Sequence, residues 1–217
     1  YSGAVDNAGG VAQLLEVAEA FSRLGVRPKR TIVFMFTTAE EAGLYGARYY
    51  VEDPIVPLEK TVAVINLDWF IPWGRTRDMI SITHGNTTLE DELERVLVTQ
   101  GRVLNPDPSP EQGYFSRSDH YPFAEAGIPA IFAGTGHDYI GKPAGWGKQQ
   151  EDAFIAQHYH KVTDEIRPDW DYSGAEEDTR ALFMVGYNVA QSVTPPNWKL
   201  TTRYPELRQR WEQLRKR

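Results

Sequence analysis

The sequence predicts an α/β fold: a three-layer sandwich with a mostly parallel, mixed central sheet and helices on both faces. Two observations carry this expectation. Short apolar runs, several rich in β-branched residues, read as strands at 31–37 (TIVFMFT), 61–68 (TVAVINLD), 79–84 (MISITH) and 128–134 (IPAIFAG). Segments with helical spacing separate them, and strands alternating with helices build a sheet covered on both sides.

Each element has its own justification. Residues 7–24 set Val11, Leu14, Leu15, Val17, Ala18 and Phe21 on one helical stripe, with Asp6 or Asn7 as N-cap and Gly25 as stop. Residues 31–37 form a continuous apolar run, as in a buried strand, and 40–53 (EEAGLYGARYYVED) read as a short helix. Strands follow at 61–68 and 79–84, the latter with alternating character. Residues 88–101 form a helix with acids in its first turn and Gly101 at its end. After the strand at 128–134, the glycine-rich and aromatic stretch 134–157 reads as a functional loop, because structureless loops of that length are uncommon in compact domains. Residues 174–192 give a last core-facing helix, and the basic final fifteen residues, interrupted by Glu206 and Glu212, a solvated terminal helix.

Bulk properties narrow the function. A chain of 217 residues with 41% hydrophobic and 24% charged side chains reads as one globular unit. We divide it into a main domain, 1–195, and a C-terminal extension, 196–217, expected to be helical. A net charge of -7 and a pI of about 5.3 argue against a nucleic-acid partner. No apolar run reaches membrane-spanning length. With no cysteine, disulfides and thiolate chemistry are excluded. The first residue is not Met and no signal-peptide pattern is visible, so the expectation is a longer protein of which this is a part.

The acids supply the chemistry. Glu40 and Glu41 follow one predicted strand, Asp68 ends another, and Asp6 sits at a helix start. Ligands of open α/β sheets bind in the crevice beyond the strands' carboxyl ends. Carboxylates converging there repel one another unless a cation neutralises them. Calcium would take oxygen ligands alone, whereas a histidine points to zinc or another transition metal. His84, His120, His137, His158 and His160 are the candidates. Ordinary structural roles compete at each position. Asp6 fits an N-cap, Glu40 and Glu41 an acidic first turn, Asp68 a strand-end turn and His160 the surface. Trp69, Phe70, Trp73, Tyr139 and Trp146 suit a pocket for an apolar side chain or the packing of the long loop equally well.

Five motifs, in order and at matching spacing, resemble the M28 peptidases, co-catalytic zinc exopeptidases that are mostly aminopeptidases: GAVDNAGGVAQLLEVA, TTAEEAGLYGARYY, VINLDW, RSDHYPFAEAGIPAIF and YHKVTDEI. The resemblance runs from Ser2 to about Ala190. It implies the zinc exopeptidase fold, here without the strands that precede the bridging aspartate, one of them central to the sheet. It implies two zinc ions bridged by Asp6, one also held by Glu41 and His160, the other by Asp68. Glu40 matches the general base and Tyr159 the donor to the tetrahedral oxyanion. Asp119 and His120 match a motif whose role is on the substrate side or in support of the site. The Asp6–Asn7 peptide bond is expected to be cis. One feature departs from the family: a further histidine ligand belongs upstream of Tyr1, so the second zinc lacks its imidazole and the chain alone is expected to be weakly active or inactive.

The activity so implied is removal of N-terminal residues from peptides. Carboxypeptidase or dipeptidase specificity lies within the same chemistry. Competing functions are a glutaminyl-cyclase-like acyltransferase and a non-catalytic interaction domain on the same fold. Export to the periplasm or the extracellular space is the expected localisation.

Overall fold

The computed structural model describes residues 2–216. Its elements in chain order are α1 (Gly9–Ser22), α2 (Tyr45–Glu52), β1 (Val64–Asn66), β2 (Asp78–Ser81), α3 (Thr88–Thr99), β3 (Val103–Pro106), α4 (His120–Glu125), β4 (Ala130–Thr135), α5 (Trp146–Gln157), α6 (Ser173–Gln191) and α7 (Pro205–Leu214). The four strands form one sheet in the order β1-β4-β2-β3. β1 runs parallel to β4 and β2 parallel to β3, while β2 and β4 are antiparallel. The sheet is mixed and covered on both faces, in agreement with the expected class.

Strand β4 shows how the layers arise. Successive side chains of a strand point to opposite faces. Ala130 joins a core with Phe115, Phe123, Ile128, Trp198, Leu207 and Trp211. Ile131 and Ala133 join the other core, with Met79 of β2, Leu89, Leu93 and Leu97 of α3, and Leu182 and Val185 of α6. A third cluster, with Val5, Ile71, Tyr139 and Phe154 at its centre, gathers Trp69, Trp73, Trp146, Tyr159 and Trp170. Helix α3 begins on a complete capping box: Thr87 Oγ1 accepts from Leu89 N and Glu90 Oε2 accepts from Thr87 N at 2.8 Å.

Four expectations require correction. Residues 31–37 are extended but join no strand, and among the described residues their amides make no backbone hydrogen bond. Val33 and Phe36 are about half exposed. A ladder needs a partner edge, and a cleft of about 910 Å³ is lined by this segment and by β1 with its flanks, including Phe21, Phe34, Val64 and Leu182. The helix placed at 40–53 starts only at Tyr45, because Leu44 takes φ 60° and breaks the first turn. The stretch 134–157 is not one loop, since α5 occupies its second half; its start is hidden by Gly145, which caps it at φ 80°. Strand β3 escaped notice because it is short, mostly exposed and ends in proline, as edge strands allow.

The terminal helix exists, but one face is not solvated. Leu207, Trp211 and Leu214 are buried in the first core, and Trp198 Nε1 donates to the Gly127 carbonyl at 2.6 Å.

Candidate metal centre

Three ligand-type side chains from remote segments meet at one point. His160 Nε2 lies 2.8 Å from Glu41 Oε1 and 3.0 Å from Asp6 Oδ2. One donor atom from each residue falls within 4.8 Å of the others. Glu41 and His160 are accessible, whereas the Asp6 side chain is 13% exposed.

Local structure delivers each of them. Asp6 lies in the turn Ala4–Ala8 at φ -120° and ψ 93°, outside helical geometry, and its peptide bond to Asn7 is cis, as the resemblance implies. Asn7, not Asp6, serves the helix start: its Oδ1 accepts from Gly10 N at 3.0 Å, and its amide donates to the Leu67 carbonyl at 3.1 Å. Glycine is required at position 10, because a Cβ there would fall 2.4 Å from Leu67 O. This bond leaves the Asp6 carboxylate free for another use. Glu40 and Glu41 stand in the turn between the extended segment and α2, just after Ala39 at φ 56°. His160 itself has φ 57°. Non-glycine residues in the left-handed region cost about 1–3 kcal/mol and cluster at functional sites.

Asp68 follows β1 and stays outside the triad. Ser118 Oγ donates to its Oδ2, and Ser118 in turn accepts from Asn66 Nδ2 at 2.7 Å. Thr37 Oγ1 donates to Asp119 Oδ2, while Asp119 Oδ1 is buried with no partner. His120 is fully enclosed between Phe115 and Phe132, and neither ring nitrogen makes a hydrogen bond of good geometry. Burial pushes its pKa down to about 3, with only the Phe115 backbone opposing, so the ring is neutral. Tyr159 stacks on His160 with ring centroids 3.8 Å apart and packs edge-on against Trp69.

The carboxylates repel one another. Burial, then the charges of Asp68, Glu41, Asp119 and Asp6, raise Glu40 to about 8. Burial, then Glu41, raise Asp6 to about 6, with the His160 charge opposing. Asp68 is raised to about 7 by burial, against the Ser118 hydrogen bond. Asp119 is raised, again by burial, and the Tyr159 phenol is raised by burial and then by Asp6 and Glu41, so it stays protonated.

The residues fit a transition-metal ion. Asp6 Oδ2 is buried and accepts no well-formed hydrogen bond, despite the nearby imidazole. One imidazole nitrogen with two carboxylates is a donor set suited to zinc and not to calcium.

The remaining histidines have structural partners: His137 Nε2 lies 3.0 Å from Glu151, His158 Nδ1 3.0 Å from Thr163, and His84 Nε2 3.8 Å from Glu94. Trp69, Trp73, Tyr139 and Trp146 pack in one cluster, and Trp73 and Trp146 border a cleft of about 560 Å³ with Trp170 and Arg167. Ser118, Asn66 and Asp164 are site neighbours that the sequence reading missed. All three lie inside the five motifs, but only the fold shows what their side chains touch.

Comparison with known proteins yields a match to "Peptidase family M28" over residues 1–184. Leupeptin-inactivating enzyme 1 of Streptomyces exfoliatus is 32% identical over 169 residues, which cover 76% of this chain and 37% of that protein. A probable glutamate carboxypeptidase of Arthroderma benhamiae is 31% identical over 149 residues (63% and 20%). A probable lipoprotein aminopeptidase, LpqL of Mycobacterium tuberculosis, is 28% identical over 185 residues (74% and 34%). The chain thus spans 20% to 37% of the length of these relatives. The solved structure of Legionella LapA shares the fold, with a TM-score of 0.63 at 18% identity over 88% of this chain and 49% of that one.

Proposed function

The chain belongs to peptidase family M28, and from that we propose a zinc-dependent exopeptidase, most simply an aminopeptidase, acting on peptides. The observation that carries this reading is the convergence of Asp6, Glu41 and His160 within 4.8 Å. These three would hold one zinc ion. Asp6 and Asp68 would hold a second, more weakly, because the described residues offer it no imidazole. Bound zinc supplies a water acidic enough to give hydroxide near neutral pH and a Lewis acid for the peptide carbonyl.

The side chains do the rest. Glu40, in the same acidic cluster, accepts a proton from the attacking water and returns it to the leaving amine. The Tyr159 hydroxyl, kept protonated by burial, donates to the oxygen on which negative charge develops. Asp119, with its unpartnered Oδ1, suits the free amino group of a substrate. His120, packed between Phe115 and Phe132, supports the start of the helix below it. An aminopeptidase among the relatives favours the N-terminal reading, and a carboxypeptidase defines the alternative. A lipoprotein relative supports export.

The test is release of p-nitroaniline from aminoacyl p-nitroanilides by the protein with zinc and with chelator, beside C-terminal cleavage of N-blocked peptides and cyclisation of an N-terminal glutamine. Chelator-sensitive release of the anilide is expected. Cyclisation without hydrolysis, or anilide release that chelator leaves undiminished, overturns the reading.

A further inference from the structure

We propose that Asp164 is a positioning residue that ties the Asp6 loop to the His160 turn and so sets the geometry of the metal-holding triad. This rests on the reading of Asp6, Glu41 and His160 as zinc ligands.

Asp164 is 1% exposed, and its acceptors point at one short stretch of backbone. Its Oδ1 accepts from Val5 N at 2.9 Å and its Oδ2 from Asp6 N at 3.1 Å, with a second, longer bond from Val5 N at 3.2 Å. Its own carbonyl accepts from Ala4 N at 3.2 Å. Three consecutive amides are therefore satisfied by a single residue, in a turn whose Asp6 and Asn7 lack helical dihedrals and which has few other ways to pair them. On the other side, Asp164 N donates to Lys161 O at 3.1 Å, closing the turn just after His160. Asp164 thus links the two segments: its carboxylate holds the backbone at Asp6, and its own amide closes the turn that follows His160.

A carboxylate is the suitable group. Both oxygens accept, so the two facing amides are matched at once. An asparagine keeps one acceptor and turns an N–H₂ group toward an N–H donor. Residues that orient metal ligands commonly change metal affinity by about 10–100-fold when replaced.

The experiment compares wild type, D164N and D164A in Zn²⁺ titration calorimetry, in the visible spectrum of the Co²⁺-loaded protein, and in thermal unfolding with EDTA. D164N keeps the side-chain volume and one acceptor, so it reports on the site even if D164A fails to fold. The expected result is a zinc Kd raised about 10–100-fold in D164N, with altered Co²⁺ bands. A D164N protein that melts lower in EDTA but binds Zn²⁺ with unchanged affinity and gives the wild-type Co²⁺ spectrum overturns the proposal, leaving Asp164 a purely structural residue. A wild type that binds neither ion overturns the triad reading, and the role of Asp164 with it.

Discussion

Glu41 Oε1 and His160 Nε2 stand 2.8 Å apart although their segments are remote in sequence, and Asp6 Oδ2 completes the group at 3.0 Å from the same nitrogen. An imidazole between two carboxylates, one of them largely buried, is an arrangement that a divalent cation satisfies better than a proton does. His160→Ala removes the nitrogen donor of the triad. Zinc affinity should fall by more than the roughly 10–100-fold typical of losing a supporting residue. Titration calorimetry measures it, and an unchanged Kd would count against the triad.

Glu40 separates catalysis from metal binding. Glu40→Gln should lower anilide hydrolysis by about 10²–10⁴-fold while leaving zinc affinity close to wild type. The same change removes a charge from a crowded acidic cluster. The metal-free variant should therefore melt at a higher temperature than the metal-free wild type at about pH 8 and above, where Glu40 is half ionised or more. Retained activity would remove Glu40 from the mechanism.

The acidic cluster makes zinc-free stability depend on pH. Asp6, Asp68 and Glu40 titrate at about 6, 7 and 8 in the folded chain, against ordinary values of 3.8, 3.8 and 4.5. The folded state then holds more protons than the unfolded state between those limits, and stability falls as pH rises through the window. His120 acts in the opposite direction but only below its ordinary 6.5, since it titrates at about 3 when folded. Above about pH 6.5 the decline should appear in melting curves with EDTA, with buried Glu90, raised to about 7, adding to it in the same direction. Zinc requires deprotonated ligands, so the gap between zinc and EDTA curves should widen toward about pH 8. A constant gap would show that Asp6 and Asp68 do not bind the ion.

The C-terminal helix bears on stability. Trp211 is 2% exposed and packs in the first core beside Trp198 and Leu207. Trp211→Ala should cost about 3–5 kcal/mol, a large share of the total for a domain of this size. Urea unfolding measures it, and a loss near that of a surface substitution would mean that α7 is only loosely docked.

Much of this molecule is legible along the chain. The period of apolar residues locates α1, α3 and α6, because helical spacing is a local property, although of the α1 stripe Val17 is buried while Val11 and Leu15 stay exposed. The motifs carrying Asp6, Glu40, Glu41, Asp68 and His160 identify the family, because residue type and order survive without coordinates. Local reading failed where the outcome depended on something distant. TIVFMFT has strand composition, but pairing is decided by which edge lies alongside, and here a cleft does. RYPELRQRWEQLRKR looks solvated until Trp211 and Leu214 find a hydrophobic face built by α4 and β4.

At the candidate centre the division falls between donors and distances. Charge repulsion among converging acids is foreseeable from strand ends alone, and so is the demand for a cation. That Asn7 takes over the helix-capping bond, that Ser118 holds Asp68, and that Asp164 pairs the amides of Val5 and Asp6 are matters of packing. Hydrogen bonds depend on tenths of an ångström and on angles between segments remote in sequence, and no spacing rule encodes those. Sequence order names the candidate ligands; folding remote segments together brings Asp6, Glu41 and His160 to one point.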